Sequence, residues 1–289
     1  MRGPLALLGL IAAVSLAGPL VAPLIGADPA SVDLLDRFAD PSLAHPLGTD
    51  ELGRDMLLRL MEGGRISLTI GIVAALAAAA LGTAVGLAAG YLGGWTDRLL
   101  MRLVDGVIAL PLLPLLIVLA ALDLGKLGVP AWLALSPAAS LLRIVALAAL
   151  VGWTTAARLV RGAALVTRRR DFVRAAQSLG AGVPHILVRH ILPNVMAPLV
   201  VATTLSVGDI ILLESVLSFL GLGVQPPLAS WGSMLSNAEE LITAAPLLAL
   251  YPGMLIFLTV IACNLLGDAL LARYDPRARA GRVGSGGGG

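Results

Sequence analysis

Charged side chains are scarce in this 289-residue sequence: Asp, Glu, Lys and Arg make up 13% of it, where a soluble domain carries about 25%. Hydrophobic residues reach 58% before any of the 33 glycines is counted. So little polar side chain cannot coat a globule of this size, which excludes a soluble monomer and makes lipid the solvent. Cysteine is limited to Cys263, so there is neither a disulfide framework nor the clustered thiols of a structural zinc site. Set in an apolar run, Cys263 reads as a small buried residue. Lysine is limited to Lys126, which Leu127 follows. The phosphate-cradling Walker loop needs Gly-Lys-Ser/Thr, so a P-loop ATPase is excluded. The histidines His45, His185 and His190 make no His-Glu-x-x-His arrangement, and five residues of α-helix put the last two on different faces. No metal site is expected. Gly-x-Ser-x-Gly is absent as well, and the sequence offers no catalytic residue and no sign of a nucleic-acid partner.

Apolar residues gather into runs instead. A bilayer core about 30 Å thick takes roughly 20 mostly apolar residues in helical form, because lipid offers no partner to unpaired backbone groups. Six stretches meet that length, at about 4–26, 66–92, 104–122, 139–158, 195–220 and 244–268. The first ends in small residues at Gly26 and Ala27, as a signal peptide does, but it exceeds the usual hydrophobic region of one and reads as an uncleaved anchor. The expected fold class is an all-α membrane protein with six transmembrane helices.

Basic residues accumulate on the cytoplasmic side. With the amino terminus inside, that side holds Arg2, Arg98, Arg102, Arg158, Arg161, Arg168, Arg169, Arg170, Arg174, Arg189, Arg273, Arg277, Arg279 and Arg282. The other side holds only Arg37, Arg54, Arg59, Arg65 and Lys126, with Arg143 inside the fourth span. Both termini are therefore expected in the cytoplasm. The chain then divides into a first helix at 1–26, an extracytoplasmic segment at 27–65, a five-helix core at 66–272 containing a basic cytoplasmic loop at 159–194, and a polar tail at 273–289. That tail ends in Gly284, Ser285 and four glycines, a flexible composition.

The cytoplasmic loop has its own helical logic. Asp171 can cap a helix start and Gly180 can take the left-handed stop position. Phe172, Ala175, Ala176 and Leu179 fall at i, i+3, i+4 and i+7, one apolar stripe on a helix too short to stand alone. Such a stripe suits a groove on a partner. It equally suits an anionic lipid surface, helped by Arg168, Arg169 and Arg170.

Ionisable residues at membrane depth are functional candidates, since leaving one unpaired there costs about 2.5 kcal/mol or more. Asp209 and Glu214 both lie in the fifth span but do not share a helical face. Glu214 comes to the depth of Arg143, close enough to pair within the bundle. Asp209, nearer the midplane, is the first candidate for a translocation pathway, able to meet water or a solute amine. Pro111 and Pro114 are expected to bend the third span, where irregular backbone can line a cavity. Trp95, Trp132, Trp153 and Trp231 fall near expected interfaces.

The stretch Arg174 to Asn194, with Ala175, Ala176, Gly180, His190, Leu192 and Pro193, resembles the coupling motif of permease subunits in binding-protein-dependent ABC importers. Its close, Arg189-His190-Ile191-Leu192-Pro193-Asn194, is similar to that of the dipeptide, oligopeptide and nickel branch. The same branch is matched by His45-Pro46-Leu47-Gly48-Thr49-Asp50-Glu51-Leu52-Gly53-Arg54-Asp55 and by Gly90-Tyr91-Leu92-Gly93-Gly94-Trp95. A further match is Leu217-Ser218-Phe219-Leu220-Gly221-Leu222-Gly223, followed by Pro226, Pro227, Ser230, Trp231 and Gly232. The resemblance covers roughly residues 42–278 and departs at Arg174, where the motif usually has Glu, and in its short stretch before the first span.

The resemblance implies a type I ABC importer permease in a bacterial or archaeal cytoplasmic membrane. It implies a second, homologous permease subunit, two ABC ATPase subunits carrying the ATP and Mg, and an extracytoplasmic solute-binding protein, with no cofactor in this chain. Phe172, Arg174, Ala175, Ala176, Leu179 and Gly180 would couple to the ATPase, and the solute would be a di- or oligopeptide, or else nickel or a metal chelate. Two other classes are an ion-coupled secondary transporter, with Asp209 as the coupling group, and a membrane scaffold.

Overall fold

The computed structural model describes residues 1–26, 28–122, 124–130, 132, 136–236 and 245–274; the tail from residue 275, with Arg277, Arg279 and Arg282, lies outside them. The described residues are mostly helical and form no strand, only an isolated bridge between Thr49 and Asp55. Four helices are long and apolar enough to cross a membrane, and two bent pairs raise the number of candidate spans to as many as six.

The first apolar stretch is broken into α1 (Arg2–Leu16) and α2 (Gly18–Ile25), bent by 49°. Pro19 in the first turn of α2 has no N–H to continue the ladder of α1. Next comes α3 (Met56–Leu92), 37 residues long or about 55 Å, ten residues longer at its start than the apolar pattern implies. The side chain of Asp55 begins it by accepting from Leu58 N at 2.9 Å. Gly93, at φ +68°, ends it. The third expected span is not one helix: α4 (Gly94–Ala109) and α5 (Leu112–Ala120) meet at 85°. Leu110 precedes Pro111 and is held extended, since the proline ring clashes with a helical predecessor. Pro114 sits in the first turn of α5, where its missing N–H has no helical partner to lose. Hydropathy placed the start of this span at Val104 because it discounts charges, but Asp97 and Asp105 of α4 are bonded to arginines of the following long helix and do not interrupt it.

That helix is α6 (Pro137–Thr167). The short α7 (Asp171–Ser178) and α8 (Val183–Ile186) follow. A π-helical turn at Leu187–Ile191 leads into α9 (Leu192–Phe219), and α10 (Pro246–Tyr274) closes the described bundle. α3 is central, packing on α1, α4, α6, α9 and α10. Its closest partner is α6, against which Gly82, Gly86 and Gly90 lie one turn apart. A Cβ at Gly86 would stand 2.6 Å from the Ala157 carbonyl and 2.8 Å from Val160 Cβ, and one at Gly90 would stand 2.7 Å from Ala164 Cβ. Small residues permit this approach, and dispersion across it replaces the hydrophobic drive that lipid does not supply.

Gly86→Ala is therefore expected to cost about 1–3 kcal/mol and lower the thermal unfolding midpoint of the purified complex. Gly162→Ala on α6, where an added Cβ meets nothing within 4 Å, should leave it unchanged or raise it. Equal melting of the two variants would rule out a close α3–α6 contact.

Candidate functional site

At one end of the bundle α7 is fixed by a single inward residue. Val173 is fully buried and belongs to one apolar cluster with Val160 and Ala164 of α6 and with Ile186, Ile191 and Val195. The sequence-derived stripe points the other way: Phe172 is 42% exposed, Leu179 88%, Ala175 is exposed and Ala176 half-buried. Arg174 is exposed beside them. The residue capping the helix is Arg170, with no side-chain bond, and Asp171 stands inside the first turn, where its charge complements the dipole. Gly180 stops the helix as expected, at φ +80°, with Ala181 N donating to Ala176 O and Gly180 N to Gln177 O, both at 3.0 Å. Val173 escaped the sequence reading because one buried valine on a mostly polar face makes no periodic signal.

Hydrogen bonds clamp α7 further. Gln177 Nε2 donates to Tyr91 Oη at 3.2 Å, and Arg168 donates to the carbonyls of Gly90 and Tyr91 at 3.1 and 3.0 Å, serving the end of α3. Arg161 holds Asp97 through two bonds of 2.5 and 2.7 Å. The rings of Phe172 and His190 lie 6.2 Å apart, and those of His185 and His190 5.7 Å. The two histidines are thus neighbours, contrary to the α-helical expectation, because the π turn between them changes the angular step per residue. No third ligand joins them, and the described residues contain no group of three metal-binding side chains.

The opposite end carries a buried polar knot. Glu214 on α9, 1% exposed, accepts from Ser67 Oγ of α3 at 3.1 Å and from Ser218 Oγ at 2.6 Å. Ser218 accepts in turn from Val224 N and Ser230 Oγ, and Ser67 accepts from Trp231 N at 3.2 Å. The fully buried Trp231 donates its indole N–H to Leu60 O at 3.0 Å. The expected ion pair with Arg143 does not form; that side chain reaches the Leu222 carbonyl at 3.4 Å instead. The hydroxyls of Ser67 on α3 and Ser218 on α9 bond the Glu214 carboxyl, which lies buried between these helices. Nearby, Asp50 accepts from Leu52 N, Arg54 N and Arg54 Nε and pairs with Arg59, while His45 Nδ1 lies 3.0 Å from Asp55. The His45–Asp55 motif is thereby the turn that launches α3.

Asp209 behaves differently. It is exposed on α9, and its carboxylate has no hydrogen bond or ion pair among the described residues. The preceding Gly208 packs against Val260 and Cys263 of α10. Of the four residues considered for a pathway, Pro111 and Pro114 shape the α4–α5 break, Glu214 is enclosed, and Asp209 alone offers an open charge.

Residues 82–280 match the family described as the binding-protein-dependent transport system inner membrane component. A protein of Brucella suis biovar 1 named as a peptide permease is 40% identical over 252 residues, covering 86% of this chain and 79% of that protein. The glutathione transport system permease protein GsiD of Shigella flexneri serotype 5b is 43% identical over 239 residues, 83% of this chain and 74% of that protein. Its Escherichia coli O6:K15:H31 counterpart is 41% identical over the same length.

Removing the acceptor from the knot leaves buried hydroxyls unmatched. Glu214→Ala should destabilise the purified complex by about 3 kcal/mol or more and Ser67→Ala by about 1 kcal/mol, read as successive drops in the unfolding midpoint. A Glu214→Ala protein that melts like wild type but fails to transport would move Glu214 back to the pathway.

Proposed function

The chain belongs to the family of binding-protein-dependent transport system inner membrane components and is a permease subunit of an ABC importer of that class; we propose that its solute is a small peptide and that α7 is its coupling element. The observation that carries this is the outward apolar stripe of Phe172, Ala175 and Leu179 on a helix anchored by Val173. A short helix with one buried contact and an exposed Leu179 is incomplete without a groove to receive it. In this reading the bundle is a type I permease with six spans, the bent pairs counting as one each, and both termini in the cytoplasm. A homologous permease subunit completes the pathway. Two ATPase subunits hold ATP and Mg and receive α7, and a solute-binding protein delivers cargo from outside. Relatives named for peptide and for glutathione transport favour a peptide over nickel or a chelate.

The mechanism follows from the contacts of α7. When ATP closes the ATPase pair, the docked helix moves with it. Val173 passes that displacement to Val160 and Ala164 on α6 and to Ile191 and Val195 at the start of α9. Interdigitated side chains transmit a push because the interior is close-packed. Nucleotide and solute then act by stabilising the outward and inward states unequally. Arg174, standing where a carboxylate is usual in the motif, calls for an acidic or neutral spot on the receiving groove. In this reading Asp209, open on α9, meets a solute amine along the pathway.

Leu179→Asp or Gly180→Val should leave the assembled complex with ATPase activity but lower ATP-driven uptake at least tenfold in proteoliposomes. Wild-type uptake in both variants would remove α7 from coupling. Asp209→Asn should reduce uptake of peptides with a free amino terminus more than that of amino-blocked ones, and an equal effect on both would make Asp209 structural. Uptake driven by an ion gradient without nucleotide would favour the secondary-transporter alternative.

A further inference from the structure

Beside α7 lies a cleft used neither by the outward stripe nor by the polar knot. Tyr91, Leu92, Arg168, Arg169, Arg174 and Gln177 line it, around about 400 Å³. Half of these residues are arginines and none is acidic. Arg168 donates to two backbone carbonyls, neutral acceptors, and is attracted to the Asp97 carboxylate without bonding it. Arg169 and Arg174 make no ion pair among the described residues. On α4, Asp97 is hydrogen-bonded by Arg161 and Asp105 by Arg158. Asp171, in the first turn of α7, pairs with none of the three. Three guanidiniums in a lining without a carboxylate create a local positive potential, and their planar forks match the oxygens of a phosphate.

The surface next to the cleft identifies the source of that phosphate. Leu92, which lines the cleft, is 54% exposed, and Trp95 and Leu99, at i and i+4 on the following α4, are 69% and 53% exposed. Tryptophan beside aliphatic side chains is the composition of a membrane at headgroup level. A basic cleft followed within a few residues by an exposed apolar row suits one phospholipid, polar at one end and greasy along the other. We propose that this cleft binds the phosphate of an anionic phospholipid whose acyl chains lie along Leu92, Trp95 and Leu99. The cleft joins residues of α7 to the ends of α3 and α6, so the bound headgroup ties the short helix to the bilayer surface. This needs the chain to lie in a membrane and rests on Arg168 and Arg169 rather than on Arg174, which the coupling reading turns toward the ATPase.

The test is native mass spectrometry of the complete importer, incubated with phosphatidylglycerol or with phosphatidylcholine of the same acyl chains. Phosphatidylglycerol should be retained about fivefold more strongly than phosphatidylcholine, and Arg169→Gln should reduce that retention about fivefold. Arg169→Lys, which keeps the charge, should preserve most of it. Brominated phosphatidylglycerol should quench a component of tryptophan fluorescence that is missing in Trp95→Phe. Equal retention of the two lipids, or wild-type retention by Arg169→Gln, would overturn the proposal. Displacement of the lipid by inorganic phosphate would also overturn it, in favour of a free-phosphate site.

Discussion

The close approach of α3 to α6 is the contact from which the rest of the bundle takes its position. In lipid two helices gain nothing by hiding apolar surface from water, so they stay together only where backbones come near enough for dense packing. Gly82, Gly86 and Gly90 provide that along one edge of α3, facing Trp153, Ala157 and Ala164. The same edge leads from the bundle centre to one end. There Arg161 meets Asp97 of α4 and Arg168 reaches the last carbonyls of α3. Val160 and Ala164, held by this packing, form the seat into which Val173 inserts. The position of α7 therefore depends on glycines of another helix.

Polar groups divide into those the chain satisfies itself and those it leaves open. Glu214 is enclosed by Ser67 and Ser218, with Trp231 pinning the third segment of the knot, so the ends of α3 and α9 cannot separate without stranding buried donors. Asp97 and Asp105 are held by arginines of α6. Asp209 makes no hydrogen bond or ion pair among the described residues, and Arg169 and Arg174 make no ion pair among them.

Much of this was legible in the residues. Apolar run length gave the helices because the bilayer imposes it, although α3 exceeds its apolar part once Asp55 caps it and Arg59 finds Asp50. The α7 stripe and its Gly180 stop were legible because helical periodicity and the left-handed preference of glycine are local properties. Contacts between distant segments were not. The sequence expected Glu214 beside Arg143 from depth alone, but depth does not give azimuth, and Ser67, 147 positions away, took the carboxyl. The π turn that brings His185 to His190 has no composition signal.

Composition, run length and local motifs thus determined by themselves that this is a helical membrane protein carrying a short amphipathic element between two long helices. Only the tertiary structure decided that the apolar stripe of that element faces outward, that Val173 anchors it, and that of two membrane carboxylates one is enclosed and the other open. The reason is physical: periodicity and capping depend on residues within a few positions of one another, whereas which face is buried depends on the partner helix that covers it.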